Sequence, residues 1–439
     1  MAKNPVQLIT NGPTGSEMFR NISMIRRNTA GFLGKMHAAH GDIVQFPVPI
    51  PAFSINDPQD VDHVLRVNGR NYSKHTLQYN SLKLVTGEGL LTADSEIWKA
   101  HRRALQPAFH RTMQAMVIDA INDSYDHISQ QWHLNSEIEI ASAMQHVTLD
   151  VVGRSLFGTS LSGSADVIAQ ATLQALKVVV AKARTPLPIP RWLPTPNNLR
   201  LNRAVKHLDL AVAQLLATPA THPDAFISLL REAHESDPVS FDVEAIRDEI
   251  VTFIVAGHET VASATTWAIQ LMLTHPEVYR KACEEARAAT DFDTLANFPV
   301  LQSVFAETLR LYPPAWLITR TTIEPDVLGG VEIPANALII MSPYLLHRGQ
   351  RWDDPETFDP TRFSDAQSQI ARSDYMPFGL GMRMCIGRDM ALVEGPLLLA
   401  RLLRDFDITP TNDWNSLGVT QSVTMHPTKQ MLARLTPKI

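Results

Sequence analysis

The sequence predicts a mainly helical α+β domain with a minor sheet, and three observations carry that expectation. Most of residues 92–310 places apolar side chains at spacings of three and four, the period of one helix face. Strand-and-turn composition is confined to residues 41–46, to about 320–363 and to a short tail. No internal repeat, low-complexity tract or Gly/Ser linker divides the 439 residues, so a single domain over 1–439 is expected.

Taken in order, Gly41-Asp42-Ile43-Val44-Gln45-Phe46 has strand composition. Asn56-Asp57-Pro58 then offers a helix start, with Asp57 as cap and Pro58 in the first turn. The Pro-rich residues 185–196 cannot sustain a helix and predict an ordered loop. Its Leu187, Ile189, Trp192 and Leu193 argue for packing on the body of the protein. The longest helical pattern runs from Asp242, a suitable N-cap, to about Thr274, with Pro276 just past its end. Ile246, Ile250, Phe253 and Ile254 share one of its faces. Residues 329–341, opening on Gly329-Gly330, resemble a hairpin. A last helix is expected from near Gly387 to about Arg404, and residues 430–435 return to strand.

Composition narrows the function classes. A net charge of −6 without a basic tail gives no reason to expect a nucleic-acid partner. The first residues lack the apolar run of a signal peptide. No stretch supplies the roughly 18 apolar residues of a spanning helix, so a cytoplasmic, unanchored monomer is expected. Two cysteines, Cys283 and Cys385, exclude a disulfide framework and a four-thiolate zinc site.

The most informative segment is Met376-Pro-Phe378-Gly379-Leu-Gly381-Met-Arg383-Met-Cys385-Ile-Gly387. Its glycines allow backbone to lie close to a flat ligand. The helix that follows, with Arg383 nearby, favours a thiolate at Cys385. Phe378 is placed to shield the sulfur. A lone cysteine by itself reads as a small buried hydrophobe, but the Gly/Phe/Arg frame argues against that here. Phe378-x-x-Gly381-x-Arg383-x-Cys385-x-Gly387 resembles the haem-binding loop of the cytochrome P-450 family, of the soluble bacterial type. The resemblance implies that family's triangular helical fold, with haem b (iron protoporphyrin IX) between the long central helix and the cysteine-loop helix. Cys385 is then the proximal iron ligand, whose electron donation favours O–O cleavage.

Within the long helix stands Ala256-Gly257-His258-Glu259-Thr260. Gly and Thr are poor helix-interior residues, and Thr can turn its hydroxyl onto the helix carbonyls. Read alone, the segment fits a close helix–helix contact at Gly257 with Glu259 solvated as well as it fits a catalytic site. It is similar to the family's oxygen-activation motif, which implies Ala256 and Gly257 over the distal haem face. Thr260 would hold bound dioxygen and Glu259 would relay protons, with the helix locally widened. His258 is expected to be structural or solvent-facing rather than a ligand.

Glu307 and Arg310 stand one turn apart among apolar neighbours, where they can pair. With Asp359-Pro360-Thr361-Arg362-Phe363 they resemble the family's Glu-x-x-Arg scaffold and its closing arginine. Haem propionates call for arginines and polar donors. Trp98-x-x-x-Arg102 is similar to the family's propionate-binding pattern, and Arg320 and Arg383 match two further propionate arginines. His101 is a candidate additional donor.

By the same resemblance, the substrate side is lined by Leu77, Leu82, Leu90, Val178, Phe253, Trp316, Leu317 and Ile318. Val423 lies close by, and Thr319 and Thr260 are the polar handles. A hydrophobic small molecule follows. The implied activity is a monooxygenase reaction on a terpenoid, a fatty acid or a polyketide- or peptide-derived product. It uses dioxygen and electrons from a separate ferredoxin and ferredoxin reductase. Lys99, Arg102, Arg103, Arg111 and Arg388 are the candidate docking face. Oxidative ring formation or coupling on the same fold, and a peroxide-driven peroxygenase, are the alternatives.

Overall fold

A computed structural model describes residues 11–109, 114–132, 136–183, 190–217, 225–364 and 373–438. In chain order the strands are β1 Ile43–Phe46, β2 Ala52–Ile55, β3 Tyr72–Ser73, β4 Glu137–Glu139, β5 Ile318–Thr322 and β6 Asp326–Leu328. They continue with β7 Val331–Ile333, β8 Leu338–Met341, β9 Phe406–Pro410, β10 Val419–Gln421, β11 Met425–Pro427 and β12 Leu432–Pro437. The helices of ten residues or more begin with α1 Thr29–His40, α2 Leu77–Thr86, α3 Ser95–Leu105, α4 Gln114–Ser129, α5 Ile140–Phe157 and α6 Ala165–Ala183. Then come α7 Pro196–Ala217, α8 Phe226–Ser236, α9 Val243–Thr274, α10 Pro276–Ala288, α11 Pro299–Leu311 and α12 Arg388–Asp405. Among the described residues no helix is long and apolar enough to cross a membrane.

The chain forms two compact units, each assembled from separated stretches. One runs to Asn80, resumes over Ala315–Thr357 and ends at Cys385. The other takes Ser81–Pro314, the stretch from Phe358, and Ile386 onward.

The first unit is built on a five-stranded sheet of order β1-β2-β8-β5-β3, in which only β2 and β8 run parallel. Phe53, Ile55, Val64, Ile339 and Met341 pack with Met376, which leads into the cysteine loop. As the sequence predicts, Asp57 caps a short helix through Gln59 N–H at 2.8 Å, with Pro58 in its first turn. The predicted hairpin is shorter than expected. β6 and β7 pair about Gly329-Gly330, whereas β8 leaves them to join the larger sheet. Pro334 cannot donate to a ladder, and Asn336 turns the chain at φ 61°, so β8 is redirected to where its alternate side chains are buried.

The second unit holds the helices. α9 begins where the sequence places it, Asp242 accepting from Ala245 N–H at 2.8 Å, and Pro276 opens α10. Trp267 stacks on Tyr312 at 4.0 Å between ring centres. Its indole donates to the Met425 carbonyl at 3.0 Å, and the Ser263 hydroxyl donates to that oxygen at 2.6 Å. The hairpin β10–β11 is thereby fastened to α9. β12 is the middle of an antiparallel sheet with β4 and β9.

The Glu307–Arg310 pair is wholly buried, joined at 2.7 and 2.8 Å. Arg362 lies 3.5 Å from the same carboxylate, as the scaffold pattern implies. Trp192 is 80% exposed rather than packed on the body; the turn that carries it is tied to α7 by Asn198 Nδ2, which donates to the Pro190 carbonyl at 2.8 Å and to the Leu193 carbonyl at 2.7 Å. Leu187 and Ile189 lie outside the described residues.

Candidate active site

The cysteine loop is fixed by its own backbone. Gly379 and Gly381 take φ values of 72° and 70°. A Cβ on Gly381 would fall 2.1 Å from the Leu65 carbonyl oxygen, so only glycine fits. Cys385 N–H donates to the Phe378 carbonyl at 2.9 Å and Met384 N–H to Gly381 at 3.1 Å. His347 Nε2 accepts from Met376 N–H at 2.9 Å. Phe378 is half-buried and Cys385 is exposed at the end of the loop. Gly387 caps α12.

In the same unit Arg320 is buried on β5, donating to Tyr79 Oη at 3.2 Å and to the Thr319 carbonyl at 2.8 Å. Arg383 is half-buried and closes the turn that begins at Gly381. Thr319 is not the polar handle expected of it. Its hydroxyl is buried, donates to Gln78 Oε1 at 2.7 Å and meets Thr76 at 2.8 Å, so the start of α2 consumes its hydrogen bonds.

In the helical unit, every residue of α9 from 248 to 272 is buried except Ala256, Gly257 and Thr260. These three lie within about 100° of one another around the helix. They form a one-turn accessible strip on an otherwise enclosed rod. Thr260 Oγ1 donates to the Ala256 carbonyl at 2.9 Å. The expected widening is not present. α9 is α-helical from Val243 to Thr274, with no π turn within it.

Gly257 is the close helix contact that the plainer reading of the segment requires, since a Cβ there would meet Val152 of α5 at 2.8 Å. Glu259 is not solvated. It is 2% exposed, 2.7 Å from His426 Nε2, and accepts from Thr424 Oγ1 at 3.1 Å and Gln145 Nε2 at 3.4 Å. Burial pushes its pKa up, but the hydrogen bond and charge of His426 outweigh it and hold the carboxyl below its ordinary value. His258 is structural, as expected, and fully buried rather than solvent-facing. Its Nδ1 lies 2.5 Å from the Ile254 carbonyl, and burial lowers its pKa.

Trp98 and Arg102 sit one turn apart on α3, the tryptophan buried and Arg102 Nε donating to Gln106 at 2.9 Å. His101 between them serves the fold instead. Its Nδ1 meets Glu249 at 2.6 Å and its Nε2 the Ser240 carbonyl at 3.1 Å, so both nitrogens are committed within the protein. Burial opposes charge on His101, yet Glu249 outweighs it and raises its pKa. Phe253 stacks on Phe109 and meets Phe226 at a tilt, while Leu77 is exposed. Of the basic residues, Lys99 is paired with Glu96 and Arg388 with Asp389; Arg103 is exposed, and Arg111 lies outside the described residues. Sequence reasoning missed His426, Thr424, Gln145 and Tyr79, none of which belongs to a recognisable motif.

The sequence matches the Cytochrome P450 family model over residues 11–434. The chain belongs to the cytochrome P450 family. It is 31% identical to pentalenene oxygenase of Streptomyces avermitilis over 91% of each chain. It is 32% identical to cyclooctat-9-en-7-ol 5-monooxygenase of Streptomyces melanosporofaciens, over 85% of this chain and 83% of the relative. The crystal structure of CYP175A1 from Thermus thermophilus superposes with a TM-score of 0.80 at 30% identity, covering 97% of this chain and all of that one. The protein is therefore a P450 monooxygenase, and the cofactor of the family is haem b. The residues present fit that group. An exposed cysteine closes a glycine-shaped loop, and the donor set offers guanidinium and indole N–H groups.

Proposed function

We propose that this cytochrome P450 hydroxylates a cyclic terpenoid, with electrons from a separate ferredoxin and its reductase. The observation that carries the reading is the strip of Ala256, Gly257 and Thr260 on a helix otherwise buried from 248 to 272. A strip with two small apolar residues and one hydroxyl suits a hydrocarbon ligand beside a small polar reactant.

In this reading Cys385, in the loop of Phe378 and Gly387, would ligate the haem iron, and Trp98, Arg102, Arg320 and Arg383 would hold the propionates. Bound haem supplies dioxygen binding and O–O cleavage, which thiolate donation favours. The protein's own residues do the rest. Thr260 commits its hydroxyl hydrogen to the Ala256 carbonyl, which leaves its oxygen lone pairs as acceptors beside the strip. Glu259 delivers protons from the buried side of α9, and the apolar wall excludes water.

The names of the two Streptomyces relatives support the terpenoid class, since both refer to cyclic terpenoid skeletons. A Cβ on Gly387 would lie 3.9 Å from Phe109, so the chain following α3 approaches the start of α12. Arg103 and Arg388 thus sit on neighbouring elements, which supports a basic docking face for an acidic ferredoxin. The test is a spectral titration of the ferric protein with cyclic terpenes, followed by turnover with ferredoxin, reductase and NADPH. A low- to high-spin shift and a mono-oxygenated product are expected. A shift with fatty acids alone would overturn the substrate class.

A further inference from the structure

Glu259 does not point along the accessible strip beside it. Its carboxylate is turned into a buried polar knot made by three elements, α5, α9 and β10–β11. Oε1 lies 2.7 Å from His426 Nε2 and accepts from the Thr424 hydroxyl. Oε2 accepts from Gln145 and stands 3.9 Å from His258 Nε2. The Thr424 hydroxyl also meets His426 Nε2 at 2.6 Å. The His426 side chain is 22% exposed, whereas that of Glu259 is 2% exposed. His426 therefore touches both solvent and the buried acid.

We infer that His426 is the proton entry for Glu259, a positioning and supply residue that acts through the acid of the Ala-Gly-x-Glu-Thr segment. This rests on the reading of Glu259 as the proton donor to the strip. A carboxylate this deep needs a donor beside it to stay ionised, and His426, 2.7 Å away, supplies it. The other imidazoles do not. His258 is fully buried, its Nδ1 bonded to Ile254, and both burial and nearby His146 disfavour its charge. The step balances as a proton transfer alone. Imidazolium His426 gives its Nε2 proton to Glu259 Oε1. The neutral acid swings toward Thr260 and releases that proton, and the partly exposed His426 ring is reprotonated at Nε2 by a hydronium ion from solvent. The hairpin that carries His426 is held to α9 by Ser263 and Trp267 on the Met425 carbonyl, which keeps donor and acceptor in register.

The experiment compares the wild-type holoenzyme with His426→Gln, which retains an N–H donor but cannot carry the proton. Glu259→Gln is the reference variant. Infrared difference spectra against pH identify the protonated Glu259 band as the one lost in Glu259→Gln. In His426→Gln that band should appear at higher pH than in wild type. Product formed per electron consumed should fall by about tenfold, the size ordinarily lost when a partner that orients a working group is removed. The substrate-induced spin shift should keep its midpoint, and His426→Lys should recover part of the coupling. An unmoved band, or wild-type coupling in His426→Gln while Glu259→Gln is uncoupled, overturns the role of His426 alone. Wild-type coupling in Glu259→Gln overturns the underlying reading as well. Should His426→Gln fail to fold, Thr424→Val, which strips the hydroxyl from the same nitrogen, must move band and coupling in the same direction.

Discussion

Glu307 grips Arg310 at two points, Oε2 to Nε at 2.7 Å and Oε1 to Nη2 at 2.8 Å, and neither side chain reaches water. The Asp359 N–H donates to the same carboxylate at 2.9 Å. Removing one partner would strand a buried charge. Arg310→Leu is therefore expected to lose about 3–5 kcal/mol, measured by chemical denaturation. The double variant Glu307→Leu/Arg310→Leu should lose less than the sum of its singles. A loss below about 1 kcal/mol would place the pair with surface contacts.

Cys385→Ala should abolish the thiolate-type spectrum of the reduced carbon monoxide complex. Because the loop is held by backbone bonds and by Gly381 against Leu65, the far-ultraviolet circular dichroism should not change. Survival of the spectrum would sink the assignment of Cys385.

At Gly257 two effects compete. Alanine gains about 1 kcal/mol of helix propensity, but its Cβ would stand 2.8 Å from Val152, whose branched side chain has few rotamers. Overpacking costs about 1–3 kcal/mol, so Gly257→Ala should be destabilised, and Val152→Ala should restore it. Equal or greater stability of the single variant would show that α5 yields.

Asp326 gives the first unit an acid-sensitive joint. Burial pulls its pKa up, but Tyr72, His63, Asn68 and the Val327 N–H all hydrogen bond to it and bring it down to about 2. A carboxylate depressed in the folded state contributes stability above its unfolded value of 3.8, and that contribution is lost as pH falls toward about 2. Asp326→Asn should flatten the stability–pH curve in that window. An unchanged slope would mean that other carboxylates govern it.

Arg103→Glu should weaken reduction by ferredoxin at low salt and converge with wild type at high salt, where exposed charges are screened. Rates that are equal at low salt would remove this face from the docking surface.

The parts of this protein that were readable in its sequence are those whose physics is local. The Asp242 cap, the glycine-framed Cys385 loop and the Glu307–Arg310 spacing are each set by neighbours within a few residues. The orientation of Glu259 was not readable, because His426 lies far along the chain and belongs to a three-residue strand without a pattern. His101 and Thr319 erred for the same reason. Both are polar side chains beside motif residues, and partners distant in sequence, Glu249 and Gln78, satisfied them first. β8 was assigned to the wrong partner because alternation reports that a strand is half-buried, never which sheet buries it.

The near-complete enclosure of α9 also bears on how such an enzyme diversifies. Over the buried span, only three positions can change without disturbing packing on every side. Of these, Gly257 is backed by Val152, and Thr260 carries the one hydroxyl on the strip. Ala256 is left as the position of the three where a larger residue retunes the surface without losing a hydroxyl or meeting Val152. Libraries randomised along this helix should return mostly unfolded clones, and new ligand preferences should arise from segments elsewhere in the chain.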